Sequence, residues 1–163
     1  MAWFALGILL LLGIVLGAIW VLGRQAANER AVTARELAAI EALPEPEAKR
    51  IAMVMLAENS LFECKGVVAS PPLDGLPASV QDLFREFEEV VRGEFWLGHA
   101  ALGEQTPVPG LRKIGGDSEF EEIVVKPEDP AVYSFYGEGP SVPLQPWRSV
   151  WHRIIVASDR NVP

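Results

Sequence analysis

The 163-residue sequence predicts an α+β protein, in which a single N-terminal transmembrane helix and a helical stalk precede one small domain on an antiparallel or mixed sheet. Three observations support this prediction. An uncharged apolar run opens the chain, segments of helical periodicity flank β-rich runs, and Pro- and Gly-rich links separate them. A chain of this length holds about one domain. The sequence therefore excludes a multidomain enzyme.

The opening run, residues 2–22, carries no charge and is rich in Leu, Ile, Val and Gly. At ~1.5 Å per residue it reaches roughly 30 Å, which is the thickness of the hydrocarbon core of a bilayer. Trp3 and Trp20 bracket the run, and indole rings favour the two membrane interfaces. A cleaved signal peptide would have a preceding cation and a shorter apolar core. We therefore predict an uncleaved helix over residues 1–23, in contact with the lipid bilayer.

The cations that flank this helix predict its orientation. Arg24, Arg30 and Arg35 follow the helix, whereas only the α-amino group precedes it. Cations are retained preferentially on the cytoplasmic side of a membrane. We therefore expect a single-pass protein of the cell membrane, with its N-terminus outside and its C-terminal domain in the cytoplasm. The opposite orientation is the alternative.

Two glycines inside the run, Gly13 and Gly17, are four positions apart. This spacing lets two transmembrane helices approach closely, because neither residue has a side chain. It predicts helix packing, either in a homodimer or with a partner helix. The alternative is that glycine is simply common in transmembrane helices.

The soluble part begins with a predicted polar, Ala-rich stalk over residues 24–43. Pro44 and Pro46 end this helix, since proline lacks the amide donor, and we place the soluble domain at residues 44–163. Within the domain, residues 47–58 indicate a helix and residues 62–69 a short strand. A turn-rich link with three prolines follows at residues 71–77.

The clearest amphipathic pattern in the chain covers residues 80–91, with Gly93 as the expected terminator of a helix. Its apolar residues at helical spacing are Val80, Leu83, Phe84, Phe87, Val90 and Val91. Residues 121–125 and 131–136 favour a β-hairpin. The closing segment, residues 147–155, again has helical spacing, and Pro146 suits the first turn of that helix.

Few residues suggest catalysis. His99 and His152 are the only histidines, and neither has a neighbour at metal-ligand spacing. Cys64 is the only cysteine, so it forms no internal disulfide and agrees with a reducing compartment. A structural thiol is the favoured interpretation, because no histidine lies near it in sequence. We therefore predict no catalytic residue, no cofactor, no metal and no enzymatic activity.

Acidic residues are concentrated in the later part of the chain. Residues 61–163 carry 16 acids and 9 bases, and residues 117–138 alone carry seven acids and one base. This excess argues against a nucleic-acid partner, which would require a basic face. It favours a basic protein partner, steered towards an acidic surface. The predicted partner-binding residues are Asp117, Glu119, Glu121 and Glu122, and ordinary solubility is the alternative explanation.

Residues 76–158 also contain a series of short motifs. They are Leu76-Pro77 leading into Val80-x-x-Leu83-Phe84-x-x-Phe87, then Ile114-Gly115-Gly116-Asp117, Glu122-Ile123-Val124-Val125, Ala131-Val132-Tyr133-Ser134-Phe135, and Ser149 in the closing segment. This series resembles the SMI1/KNR4 (SUKH) domain family. The resemblance implies an α+β binding domain without catalysis. Many bacterial members of that family are immunity proteins that bind a cognate toxin, and others are regulatory or scaffolding modules.

Two functional hypotheses follow. The first is a membrane-anchored, non-enzymatic protein-binding module of the immunity type, which binds a basic protein through an acidic surface. The second is a single-pass accessory subunit whose helix docks into a larger membrane protein complex. A membrane-tethered enzyme is a third class, which the small number of catalytic side chains disfavours.

Overall fold

The computed structural model describes residues 33–67, 71–117, 121–136 and 144–159. The chain forms two compact units, Met1–Ala39 and Ile40–Pro163. Helix α1 is described over residues 33–41, within the predicted stalk. The predicted transmembrane helix, with Gly13 and Gly17, lies outside the described residues. Among the residues that are described, no helix combines the length and the apolar character needed to cross a membrane.

The larger unit is an α+β domain, which confirms the predicted fold class. Its elements are α2 (Glu45–Glu58), β1 (Glu63–Gly66), α3 (Ala78–Glu86), β2 (Phe87–Arg92), β3 (Phe95–Gly98), β4 (Arg112–Gly116), β5 (Glu121–Val125), β6 (Val132–Tyr136), β7 (Gln145–Trp147) and α4 (Val150–Asp159). A short 3-10 helix, His99–Gly103, follows β3. The seven strands form one sheet in chain order, and every pair of neighbours is antiparallel.

The helices cover one face of this sheet, which we call the inner face; the opposite one is the outer face. Helix α2 packs on α4, α3 packs on β2 and α4, and α4 also contacts β7. The core between the two layers contains large side chains that are at most 1% exposed, such as Leu83, Val90, Leu97, Ile123 and Ile154. Burial of such apolar side chains is the main stabilising contribution to a domain of this size.

Helix α3 is shorter than the sequence predicted. It ends at Glu86, and Phe87, with φ −132° and ψ 134°, already has extended backbone. The apolar pattern of residues 87–91 suits both the helical period of 3.6 and the strand period of 2.0. The β-branched Val90 and Val91 favour a strand, and the alternation of side chains along that strand places only Val90 in the core. Gly93, with φ +56°, lies in the turn between β2 and β3 and is not a helix terminator.

The approach to the closing helix also differs from the prediction. Pro146 lies in β7, and α4 begins only at Val150. Because β7 is at the edge of the sheet, a residue without an N–H group is tolerated there. Trp147, expected in the helix, also belongs to β7, and its indole Nε1 donates to Ser134 Oγ at 3.1 Å.

Strands β3 and β4 lie in residues 95–116, where the periodicity of the sequence predicts neither a helix nor a strand. The two strands approach closely at Gly115, where an added Cβ would lie 2.1 Å from the carbonyl oxygen of Trp96. Only glycine fits there without moving the backbone of β3. This glycine therefore serves strand pairing.

Candidate partner-binding surface

The predicted acidic surface is centred on the connection between β4 and β5. Asp117 closes this connection through two hydrogen bonds: its Oδ1 accepts from the Glu121 N–H at 3.0 Å, and its own N–H donates to the Glu121 carbonyl at 3.0 Å. Glu119 lies between them, outside the described residues. Asp117 is half-buried and fixes the position at which β5 begins.

The next two acidic residues point to opposite faces of the sheet, because side chains alternate along a strand. Glu121 points to the inner face, where it is 2% exposed and forms an ion pair with Arg153 of α4. The expectation that Glu121 lies on a solvated face is therefore wrong. Burial raises the pKa of the Glu121 carboxyl, while the charge of Arg153 acts in the opposite direction.

Arg153 is surrounded by aromatic rings as well as by its carboxylate partner. Its guanidinium carbon lies 5.2 Å from the ring centroid of Trp147 and 6.0 Å from that of Phe95. Stacked aromatic faces and a carboxylate suit the planar, weakly hydrated guanidinium. The pair of Glu121 and Arg153 thus joins the sheet to α4, and it is a structural element of the core.

On the outer face, Glu122 takes part in a group of four side chains that we call the outer-face cluster: Trp96, Glu104, Lys113 and Glu122. Lys113 is at its centre. Its Nζ lies 2.6 Å from Glu104 Oε2, 3.8 Å from Glu122 Oε1 and 5.7 Å from the ring centroid of Trp96. Two carboxylates therefore share one ammonium group, which leaves the cluster with a net negative charge.

The members of this cluster differ in how open they are to solvent. The Lys113 side chain is 16% exposed, whereas those of Glu122 and Glu104 are 27% and 47% exposed. The Oε2 atom of Glu122 is buried and has no hydrogen-bond partner within the described residues. A buried carboxylate oxygen without a donor loses its hydration, which costs about 1–3 kcal/mol or more for a charged group. The Glu104 carboxylate is therefore the most accessible acceptor of the cluster, whereas Glu122 Oε2 is occluded.

His152 has a structural role. Its Nε2 lies 3.0 Å from the carbonyl oxygen of Leu43 and its Nδ1 lies 2.8 Å from Ser149 Oγ, so Nε2 carries the proton that it donates to Leu43 and Nδ1 accepts from the serine. Both His152 and Ser149 are fully buried. A serine–histidine pair suggests a nucleophile with its base, but here the histidine connects α4 to the chain segment before α2.

The other two residues with reactive side chains are His99, which contacts the backbone of α3, and Cys64, which lies in the edge strand β1. His99 lies 3.0 Å through Nε2 from the carbonyl oxygen of Phe84, and its ring packs edge-on against the Phe84 ring with centroids 4.9 Å apart. Cys64 is exposed in β1, and partial burial raises the pKa of its thiol. Across the part of the chain that is described, no three His, Cys, Asp or Glu side chains form a group that could hold a metal ion.

Sequence reasoning missed Trp96, Glu104 and Lys113. The signal that could have indicated them is weak, because it requires the pairing of β3, β4 and β5. In that pairing Trp96 is opposite Gly116, and Gly116 is opposite Glu122. The alternation of β5 alone could have separated Glu121 from Glu122.

The fold and this surface define an α+β domain with an acidic cluster on the outer face of an antiparallel sheet. No protein-family model, no curated protein and no solved structure matches the chain. The resemblance to SMI1/KNR4 domains therefore stays a prediction from motifs, which lie on α3, β4, β5 and β6 and at Ser149, the residue before α4.

Proposed function

We propose that this protein is a membrane-anchored, non-enzymatic binding module of the immunity type, which binds a basic protein partner on the outer face of its sheet. The observation that carries the proposal is the outer-face cluster, in which the carboxylates of Glu104 and Glu122 share the single ammonium group of Lys113. An arginine or lysine of the partner would compensate the remaining negative charge at the accessible Glu104 carboxylate, and charge-assisted hydrogen bonds are the stronger ones. Trp96, in the same cluster, offers a ring on which a guanidinium can stack.

The charge of the chain supports the same partner. The formal net charge is −8, and the surface proposed here combines Glu104 and Glu122 with Asp117. Glu119, outside the described residues, stays a predicted member of this surface. Glu121 is withdrawn from this surface, because Arg153 neutralises it in the core. A negative field of this kind attracts a cationic protein and raises its association rate.

The membrane anchor in this proposal is the uncharged run at residues 2–22. The cations after that run favour a cytoplasmic domain, and Gly13 with Gly17 favours close packing of two such helices. A reporter that is active only outside the cytoplasm, fused after Pro163, should stay silent. Strong activity of that fusion would contradict the proposed orientation.

The contacts of the histidine and cysteine side chains support the non-enzymatic part of this proposal. His152 uses both ring nitrogens in hydrogen bonds inside the core, and His99 binds a backbone carbonyl. Cys64 has a raised pKa, and a nucleophilic cysteine requires a lowered one. The motif resemblance to SMI1/KNR4 domains implies the same class of non-catalytic binding protein.

Capture from detergent-solubilised cells with the full chain as bait tests the proposal. We expect wild type to retain a soluble basic protein, and Glu122→Lys to lose it, because the substitution changes the net charge of the outer-face cluster from negative to positive. Glu58→Lys is the matched control, since Glu58 is an exposed residue at the end of α2 and the change in net charge is the same.

The outcome separates the two functional classes. Retention of the basic protein by Glu58→Lys and its loss from Glu122→Lys would support the binding module. Capture of an integral membrane complex that both variants retain equally would support the accessory-subunit hypothesis and overturn the role of the outer face.

A further inference from the structure

Strand β1 forms one edge of the sheet. Within the described residues it pairs only with β2, and all four of its residues, Glu63–Gly66, are exposed. The opposite edge, β7, contains Pro146, which removes a backbone donor. Proline on an edge strand hinders pairing with another chain. Of the two edges, β1 is therefore the one on which every residue has a backbone N–H group, and its short length, Lys65 and the bulge between Lys65 and Gly66 limit it to weak pairing.

The sequence of β1 is complementary to itself. If two copies pair antiparallel with Cys64 opposite Cys64, then Glu63 of each copy lies opposite Lys65 of the other. Cross-strand pairs of opposite charge stabilise antiparallel sheets. We propose that β1 is a self-association edge, through which a second copy of this chain extends the sheet with its own β1 in this register. This inference goes beyond the proposed partner binding and does not depend on it.

The register is specified by the charges. Shifting the pairing by one residue places Glu63 opposite Gly66 and Cys64 opposite Lys65, so both ion pairs are lost. Lys65 also bonds Glu89 on the neighbouring strand β2, on the same side of the sheet. In the proposed register, Lys65 lies between Glu89 of its own chain and Glu63 of the second copy, and a three-residue row of alternating charge crosses the interface.

The association is weak, because a four-residue strand buries less than the roughly 1,000 Å² that a stable interface requires. It is therefore reversible and depends on concentration. A covalent trap is the suitable measurement, and Cys64 provides it. Residues directly opposite each other in an antiparallel pair have Cα atoms ~4.5–5.5 Å apart, which is within the range that a disulfide spans.

The experiment treats the purified full chain with diamide and measures the disulfide-linked dimer on a non-reducing gel. When a disulfide forms, each of the two Cys64 thiols loses one proton and one electron. One diamide molecule accepts these two protons and two electrons and is reduced to the hydrazine. The reaction is run at mildly alkaline pH, since partial burial raises the pKa of the Cys64 thiol. Cys64→Ser is the negative control.

Three variants test the register. Glu63→Lys and Lys65→Glu each place like charges opposite each other twice, so each should lower the initial rate of dimer formation by roughly tenfold. The double variant, Glu63→Lys with Lys65→Glu, restores opposite charges and should recover most of the wild-type rate. Glu63→Lys is the cleaner single change, because its neighbour on β2 is Val91.

The two single variants also distinguish the proposed strand pairing from disulfide formation by random collision of two chains. Because the chain carries a net charge of −8, random encounters would become faster in Glu63→Lys, which is less acidic, and slower in Lys65→Glu. The proposal predicts that both become slower. A faster Glu63→Lys variant, equal rates in all variants, or no recovery in the double variant would overturn it. Equal rates would instead indicate that the two copies associate through another part of the chain before Cys64 is oxidised.

Discussion

Glu121 of β5 and Arg153 of α4 form an ion pair that is almost fully buried between the sheet and the helices. The two residues are 32 positions apart in the sequence and join the two layers of the domain. The pair removes one acidic side chain from the surface and leaves Glu122, its neighbour, on the outer face. This contact thus joins α4 to the sheet and removes Glu121 from the acidic surface.

Breaking this pair from one side should be costly. Glu121→Gln leaves the charge of Arg153 buried without a carboxylate, and we expect a loss of about 3–5 kcal/mol in the free energy of unfolding. Urea unfolding of the full chain in detergent measures it. Glu122→Gln is the matched control, because the same chemical change in a partly exposed side chain should cost less than about 0.5 kcal/mol.

The apolar replacement of both partners tests the same relationship in the other direction. Glu121→Leu combined with Arg153→Met removes both charges at similar volume, and such replacements are often neutral or stabilising. We expect the double variant to be much more stable than Glu121→Gln. A Glu121→Gln variant as stable as the wild type would show that the pair contributes nothing to the layer packing.

Phe84 tests whether the apolar side of α3 faces the core. Its side chain is 1% exposed and packs against the ring of His99. Phe84→Ala should lower the free energy of unfolding by about 3–5 kcal/mol, since truncation of a buried phenylalanine leaves a cavity. Leu61→Ala is the control, because Leu61 is 60% exposed. Equal losses in the two variants would contradict the assigned core.

The sequence predicted the elements whose apolar pattern suits either the helical period of 3.6 or the strand period of 2.0, but not both. The helix now seen as α2, the hairpin of β5 and β6, and the burial of Trp151, Ile154 and Ile155 in the closing helix were all expected. Residues 87–91 were assigned to a helix because their apolar positions suit periods of both 3.6 and 2.0. No turn residue marks the change from α3 to β2, so the pattern alone could not decide it.

The site was predictable only in part, for a different reason. That Glu121 and Glu122 diverge follows from strand alternation, but the burial of Glu121 depends on Arg153, whose position requires the packing of α4. The outer-face cluster requires the register of three strands, as the pairing of Trp96 with Gly116 shows. Contacts between distant residues of this kind are set by tertiary structure, which a single sequence does not display.

Asp129 should make stability depend on pH. Its Oδ1 accepts from the Ala131 N–H at 2.9 Å and its Oδ2 accepts from the Tyr133 hydroxyl at 2.7 Å, and these bonds lower the pKa of the carboxyl. Because the folded-state pKa lies below the unfolded one, the stabilisation is present above the unfolded pKa of ~3.9. It is lost as the pH falls through the folded-state pKa.

Comparison with Asp129→Asn measures this contribution. The difference in unfolding free energy between wild type and Asp129→Asn should favour wild type at neutral pH and shrink as the pH falls below ~4. Tyr133→Phe is a control that removes one of the two hydrogen bonds, so its effect should be smaller. A difference between wild type and Asp129→Asn that is constant between neutral and acid pH would contradict the assigned role of the carboxylate.

We propose that the outer face, through Glu122, binds a basic protein. The most direct measurement is the association rate of the captured partner with wild type, Glu122→Lys and Glu58→Lys at low salt and at physiological salt. We expect Glu122→Lys to associate more slowly at low salt and Glu58→Lys to match wild type, because charges at an interface steer encounter. Physiological salt should slow wild type too, since the Debye length falls to ~8 Å. Equal rates for wild type and Glu122→Lys at low salt would contradict the account.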